Sequence, residues 1–292
     1  MPTKKPGQYW TETWNPVSGC TKVSAGCQNC FAEEMARRFP QAHGWHSVDI
    51  CPSVLGPRTA HVPAPFSKIL CHPDRLDIPL HWRKPRVVLV PSMGDLFHPQ
   101  VPDDFRDSVF GVMGAAQSHT FQVLTKRIEV AATYLKFPRY HRQAEAVGRL
   151  VPRDLRDADG LHAWVRRNPW PFPNVYLGVS VEDQATADER IPILLDTPAA
   201  HRWVSVEPAL SWIDFHCSLD KADAVIWGCE SGPRRRPAPH DWARHIRSQC
   251  QPQKVPFFLK QMGANEDGTG KVVKMPELDG RVWDQLPEGM SR

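Results

Sequence analysis

The sequence predicts an α/β protein: a partial (β/α) TIM-like barrel of about six parallel strands, carrying irregular and helical insertions. Three observations predict it. Six short, continuously apolar runs recur along the chain, as suits parallel strands buried on both faces. Helix-period patterns lie between most of them, the alternation that βαβ units produce. The length of 292 residues allows one barrel-sized domain over 1–292.

The strand runs are Arg86–Val90, Thr120–Leu124, Val175–Val179, Arg202–Val206, Ala224–Trp227 and Val255–Leu259, each ending in a polar or charged cluster. Phe31–Arg38 reads as a helix. A second helix opens at Pro102 with Asp103 and Asp104 in its first turn and runs to about Ala116, with Phe105, Val109, Val112 and Met113 at helical spacing. Asp183 to Leu195 and His240 to Cys250 repeat the pattern, the first with Ile191 and Leu194, the second with Trp242, Ala243 and Ile246. Two stretches break the rhythm. Residues 40–85, rich in Pro and His, read as an irregular excursion. Residues 137–173 mix Arg139, Arg142, Arg149, Arg153, Arg156, Arg166 and Arg167 with acids and close on Pro169-Trp170-Pro171-Phe172-Pro173, which predicts an inserted helical subdomain. The Gly- and charge-rich tail after Gly263 is expected on the surface.

Composition narrows the classes. An apolar content of 41% with 11 Trp and 12 Phe excludes intrinsic disorder. No apolar run reaches membrane-span length, and Met1–Gln8 has no signal-peptide core, so the expected compartment is the cytosol, with no membrane partner. The 29 prolines, about double average usage, imply many rigid connections. Eight cysteines in such a chain are unlike a disulfide framework, and a cluster among them reads as metal-binding or catalytic. The net charge of +4 permits an anionic partner without requiring one.

That cluster is Cys20, Cys27 and Cys30, with six and then two residues between them. Gly19, Ser24 and Gly26 let the loop bend, and Cys30 sits at a helix N-terminus, where thiolate charge is favoured. Three thiolates on one loop suit three irons of a [4Fe–4S] cluster and leave the fourth iron open. Structural zinc, the second reading, usually takes four protein ligands; His43, His46 or Cys51 would have to complete the set. Unrelated reduced thiols are the third. Cys51, Cys71, Cys217 and Cys250 are scattered and read as small hydrophobes, while Cys229 lies in a candidate active-site loop.

The stretch Trp14-Asn15-Pro16-Val17-Ser18-Gly19-Cys20-Thr21-Lys22-Val23-Ser24, with Cys27 and Cys30, resembles the phage-associated three-Cys-motif family, a divergent branch of the radical S-adenosylmethionine (SAM) superfamily. The resemblance continues in order through Ser92-Met93-Gly94-Asp95-Leu96-Phe97, Leu124-Thr125-Lys126-Arg127, Leu177–Glu182, Val204–Pro208, Gly228–Pro233 and Phe258–Gly263, nearly the whole chain. It departs from the wider superfamily in the first cysteine spacing, six residues where three is usual.

In parallel α/β architectures ligands meet the carboxyl ends of strands. Just past the apolar runs stand Asp95, Lys126 with Arg127, Glu182, Glu207, Glu230 with Ser231, and Lys260 with Gln261. They are either helix caps and solvated loops or the lining of one shared mouth, and six in succession favour the mouth. The resemblance implies that Asp95, Lys126, Arg127, Glu182, Glu207, Glu230 and Ser231 bind SAM, acids meeting its amino group and ribose, Lys126 or Arg127 its carboxylate. Lys260, Gln261, Arg234, Arg235 and Arg236 are then expected at the substrate. The triple Arg reads otherwise as a solvated turn. Trp10, Trp14, Trp45 and Trp170 would stack on a base or pack in the core. No P-loop, dinucleotide fingerprint, HExxH or GxSxG motif occurs.

The resemblance thus implies an enzyme whose [4Fe–4S] cluster cleaves SAM to a 5′-deoxyadenosyl radical for hydrogen abstraction. Its implied substrate is a nucleobase in phage or host DNA, or a free nucleotide, and its implied reductant an external flavodoxin- or ferredoxin-type donor in a bacterial cytosol. The alternative is a non-catalytic nucleic-acid- or partner-binding protein with a structural zinc or iron–sulfur site.

Overall fold

A computed structural model describes residues 5–53, 56–137, 139–150, 167–168 and 170–291. All six expected strands form, and two short ones join them. The main sheet contains β1 (Glu12–Thr13), β2 (Val87–Val90), β3 (Thr120–Thr125), β4 (Val175–Val181), β5 (His201–Val206), β6 (Ala224–Gly228), β7 (Phe257–Gly263) and β8 (Val272–Lys274). Its spatial order is its sequence order; β1 to β7 are parallel and β8 is antiparallel. The sheet curls into a half-barrel flanked by helices, so eight strands replace the expected six. The additions are edge strands of two and three residues, too short to leave an apolar run.

Among the described residues, six helices of eight residues or more accompany the sheet: α1 (Phe31–Arg38), α2 (Asp103–Ala115), α3 (Ile128–Leu135), α4 (Tyr140–Leu150), α5 (Gln184–Asp196) and α6 (His240–Cys250). The α5 start is fixed by a reciprocal capping box, with Asp183 Oδ1 accepting from Thr186 N and Thr186 Oγ1 accepting from Asp183 N. α2 begins on Asp103 and Asp104 after an extended Pro102, as the macrodipole favours.

Alternation along the strands separates two faces. Val90, Val123, Val179, Val206 and Trp227 point outward and pack with Phe110, Ile191 and Ile246 of the helices. Tyr176, Trp203, Ile226 and Phe258 point into the curl, where Tyr9 and Met290 join them. Gly178 makes room for this inner layer: a Cβ there would lie 2.2 Å from Trp203 Cε2.

Two expectations need correction, those for residues 40–85 and for the tail. Residues 40–85 hold an antiparallel hairpin, Trp45–Ser53 with Gly56–Pro63; in a two-stranded ribbon each strand is an edge, which tolerates proline. The tail after Gly263 does not only cover the surface, because Leu278, Trp283 and Met290 are buried and Leu259 N donates to Trp283 O. In the 137–173 stretch, α4 packs against α2 so closely that a Cβ on Gly111 would meet Gln143 O at 2.5 Å, and Arg139 pairs with Asp107 and Asp103. Arg153, Arg156 and Arg166 lie outside the described residues. Among the described residues no helix is long and apolar enough to cross a membrane.

Gly178→Val overfills the inner layer. Chemical denaturation should show a loss of about 1–3 kcal/mol; unchanged stability would mean that Trp203 is not packed on this strand.

Candidate functional site

At the carboxyl ends of the strands a cavity of about 460 Å³ opens, within the size range of small-molecule sites. Cys20, Cys27 and Cys30 line it together with Asp95, Lys126, Arg127, Glu207, Glu230, Ser231, Lys260 and Gln261. Glu182, Arg234, Arg235 and Arg236 are not on its surface. Ser180, Ser205 and Cys229 complete the sheet side, and a further stretch of lining comes from Gly7–Trp10 and Lys274.

Local contacts place the cysteine loop. Asn15 Oδ1 accepts from Ser92 N at 2.7 Å and Met93 N at 2.9 Å, tying the loop's approach to the turn after β2. Gly19 adopts φ +88° and passes so close to Lys68 that a Cβ would lie 2.1 Å from its carbonyl oxygen. Its N–H donates to Met93 O, and that of Cys20 to Phe66 O. Beneath, Ser18 Oγ donates to His43 O at 2.7 Å and meets His72 Nε2 at 2.7 Å. Cys27 ends a 3₁₀ turn, Ala25–Cys27, and Cys30 is the N-cap of α1, where the sequence places it.

Three ion pairs at strand ends then grip the loop. Beyond β3, Arg127 lies 3.2 Å from Asp95, reaches Cys20 Sγ at 3.3 Å and donates to Thr21 O at 2.8 Å. Asp95 also accepts from Phe97 N, Thr125 Oγ1 and Lys126 N. Beyond β4, the fully buried Glu182 contacts Lys126 and Arg190 and accepts from Ser24 Oγ at 3.0 Å, itself 3.7 Å from Cys27 Sγ. Gly26 is required here, since a Cβ would lie 2.4 Å from Glu182 Cγ. Beyond β6, Glu230 pairs with Arg236 and accepts from Asn29 Nδ2, while Arg236 donates to Ala25 O.

A fourth pair does not touch the loop. Lys260 Nζ lies 2.6 Å from Glu207 Oε1, and the other carboxylate oxygen accepts from Tyr9 Oη and Ser205 Oγ. Gly228, on the strand between them, leaves the space that Glu207 fills.

The sulfurs differ in electrostatics. Burial pushes the Cys20 thiol up, aided by the Asp95 charge and opposed by Arg127. Burial also raises Cys30 against the backbone of α1. At Cys27 burial is outweighed by hydrogen bonding at Val23 and Ser24 and by the Lys126 charge, so this thiol lies below its ordinary value. Burial lowers Lys126 to about 8 and pushes Cys229 up to about 11. All three loop cysteines are free thiols. They share one lining, yet among the described residues no three of His, Cys, Asp or Glu stand close enough to hold a single metal ion.

Several predicted site residues therefore have structural partners. Asp95, Arg127, Glu182 and Arg236 are occupied in holding the cysteine loop, and Arg235 donates to Gly268 O and Gly270 O in the tail. Arg234 is exposed. Trp14 is buried and donates to Arg75 O; Trp170 donates to Pro198 O; the Trp45 side chain lies outside the described residues. Trp10 lines the cavity. Sequence reasoning missed Gly7, Gln8, Tyr9, Ser180 and Ser205. The serines had a signal: they are polar positions at period-two spacing in otherwise apolar strands.

Fold and site together define a half-barrel protein with a cysteine-lined cavity at the carboxyl ends of its strands. The chain belongs to the family described as "Protein of unknown function (DUF5131)", whose model matches residues 7–287. No curated protein and no solved structure matches it.

Arg127→Gln strands the buried Asp95 charge and should cost about 3–5 kcal/mol in chemical denaturation, whereas Lys22→Gln, which breaks the exposed pair with Glu33, should change stability little. Equal effects would deny the clamp. Burial lowers the folded-state His72 to about 4 from an ordinary 6.5. Protonation therefore favours unfolding, and stability should fall as pH drops from about 6.5 to about 4. His72→Asn should flatten that window; an unchanged pH profile would count against it.

Proposed function

We propose that the protein is a radical SAM enzyme acting on a nucleobase of DNA or of a nucleotide, with Cys20, Cys27 and Cys30 as the three protein ligands of a [4Fe–4S] cluster. The observation that carries this reading is convergence. Three free thiols and the strand-end residues of a curled parallel sheet line one cavity of about 460 Å³. The thiols fit such a group in kind and number. The ordered resemblance of the strand-end motifs to a radical SAM family supports the same reading.

A bound, reduced cluster supplies the electron that splits SAM into methionine and a 5′-deoxyadenosyl radical, chemistry that belongs to the cofactor. The chain's own share is to hold, orient and shield. Arg127 sets a fixed cation beside the Cys20 sulfur, and Lys126 places its charge near Cys27. Both favour thiolate, the ligating form. Ser180 and Ser231 offer hydroxyls on the cavity lining for an amino group and hydroxyls. Tyr9, packed on Trp203 and Phe258, closes the base of the cavity to water. An external one-electron donor belongs to the proposal.

Anaerobically reconstituted protein should be brown and, once reduced, should convert SAM to methionine and 5′-deoxyadenosine. Cys27→Ala should lose the iron and the cleavage together. Colourless protein carrying one tightly held zinc, or iron content untouched by Cys27→Ala, would overturn the reading in favour of a structural metal site. Mass spectrometry of nucleosides after incubation with SAM and phage or host DNA then tests the substrate.

A further inference from the structure

The acids at the strand ends, in the cavity lining and just behind it, are matched: Asp95 with Arg127, Glu182 with Lys126 and Arg190, Glu207 with Lys260, and Glu230 with Arg236. Lys274 on β8 lines the same cavity, is exposed, and has no carboxylate partner among the described residues. An anion entering the cavity therefore finds there, besides Lys126, which shares Glu182 with Arg190, a lysine with no acid paired to it. Its neighbours are specific. A Cβ on Gly7 would lie 3.2 Å from Lys274 Cβ, and Gly7 leads three residues on to Trp10. The half-buried Trp10 indole meets Tyr9 edge-to-face at 4.6 Å, and Lys260 Nζ lies 5.4 Å from its ring. Ser205 and the Glu207–Lys260 pair add an acceptor and donors on the sheet side.

That pair takes in Tyr9 and Ser205 through the second Glu207 oxygen. It holds no part of the cysteine loop, and a shielded ion pair is on average no more stabilising than apolar residues of the same volume. An indole ring, a lysine with no acid paired to it and a donor–acceptor floor together suit a ligand with a planar ring, an anionic group and a polar ring edge. We infer that Trp10, Lys260, Lys274 and Glu207 form a nucleoside-monophosphate subsite. The base lies against Trp10 with its edge toward Glu207 and Lys260, and the phosphate meets Lys274, a compact charge suited to it. This deepens the proposed nucleobase chemistry and rests on it. The same unit is present in a free nucleotide and in a nucleotide displaced from DNA.

The test uses cluster-free protein, so it is independent of SAM cleavage. Calorimetry would compare the four deoxynucleoside 5′-monophosphates, the matching nucleosides, inorganic phosphate and a six-nucleotide single strand. At least one monophosphate should bind more tightly than its nucleoside and than phosphate. Trp10→Leu should weaken it roughly tenfold, the loss expected of one stacked base, while Trp10→Phe restores most of the affinity. Lys274→Gln should weaken the monophosphate and leave the nucleoside unchanged. The single strand binding more tightly than the monophosphate assigns the site to DNA, and equal affinity assigns it to the free nucleotide. Absence of binding by all nucleotides, or variants that bind as the parent does, would overturn the subsite and leave the radical reading to its own assay.

Discussion

The segment carrying the three cysteines contains one 3₁₀ turn and little other regular structure before α1, so its own backbone cannot fix it. What fixes it is charge held at low exposure. Asp95–Arg127, Glu182–Lys126–Arg190 and Glu230–Arg236 stand on three different strand ends and reach Thr21, Ser24 and Ala25 respectively. Each acid is almost wholly buried, where an unpaired carboxylate would be costly to keep ionised. The partners are therefore confined to a narrow set of geometries, and the loop that completes their hydrogen bonds is confined with them. Such pairs contribute more to defining one arrangement than to net stability. Gly19 and Gly26 serve the same end by letting the loop come within reach.

The half-barrel supplies the frame in two layers. Lower in the curl, Tyr9, Trp203 and Phe258 fill the space as a packed core. Nearer the carboxyl ends the same inward positions change to Ser180, Ser205, Gly228 and Lys260, and the curl opens into the cavity. The strands stay rigid because their outward residues are sealed by the helices, so the polar layer inherits a fixed geometry.

Much of this architecture is legible in the sequence, for identifiable reasons. The six central strands declare themselves because both their faces are buried, α2, α5 and α6 because their apolar residues keep helical spacing, α5 with Asp183 as its cap as well, and α1 as a helix that starts at Cys30. Cys30 at a helix start is likewise readable. The edge strands β1 and β8 are not, being too short to carry a pattern, and the hairpin of residues 45–63 is hidden by its prolines. The site is half legible. That charges gather at one mouth follows from their place after the strands. That Arg127, Glu182 and Arg236 turn toward the cysteine loop depends on which neighbour each charge meets in space, a tertiary fact that residue order does not encode locally. Trp10 is named in the sequence as a residue to stack or pack, but Tyr9 beside it escapes notice because an aromatic ahead of a two-residue strand resembles ordinary packing.

The claim on which the rest depends is that the cysteine loop is ordered before any metal arrives. Hydrogen–deuterium exchange on metal-free protein measures this directly, through the amides of Gly19, Cys20 and Cys27, which donate to Met93, Phe66 and Ser24. Protection approaching that of the β3 and β4 amides, and lost when Arg236 is replaced by Gln, is the result expected of a loop held by strand-end ion pairs. Exchange at unprotected rates in the parent protein would contradict it, and would mean that the loop takes its shape only from what it binds.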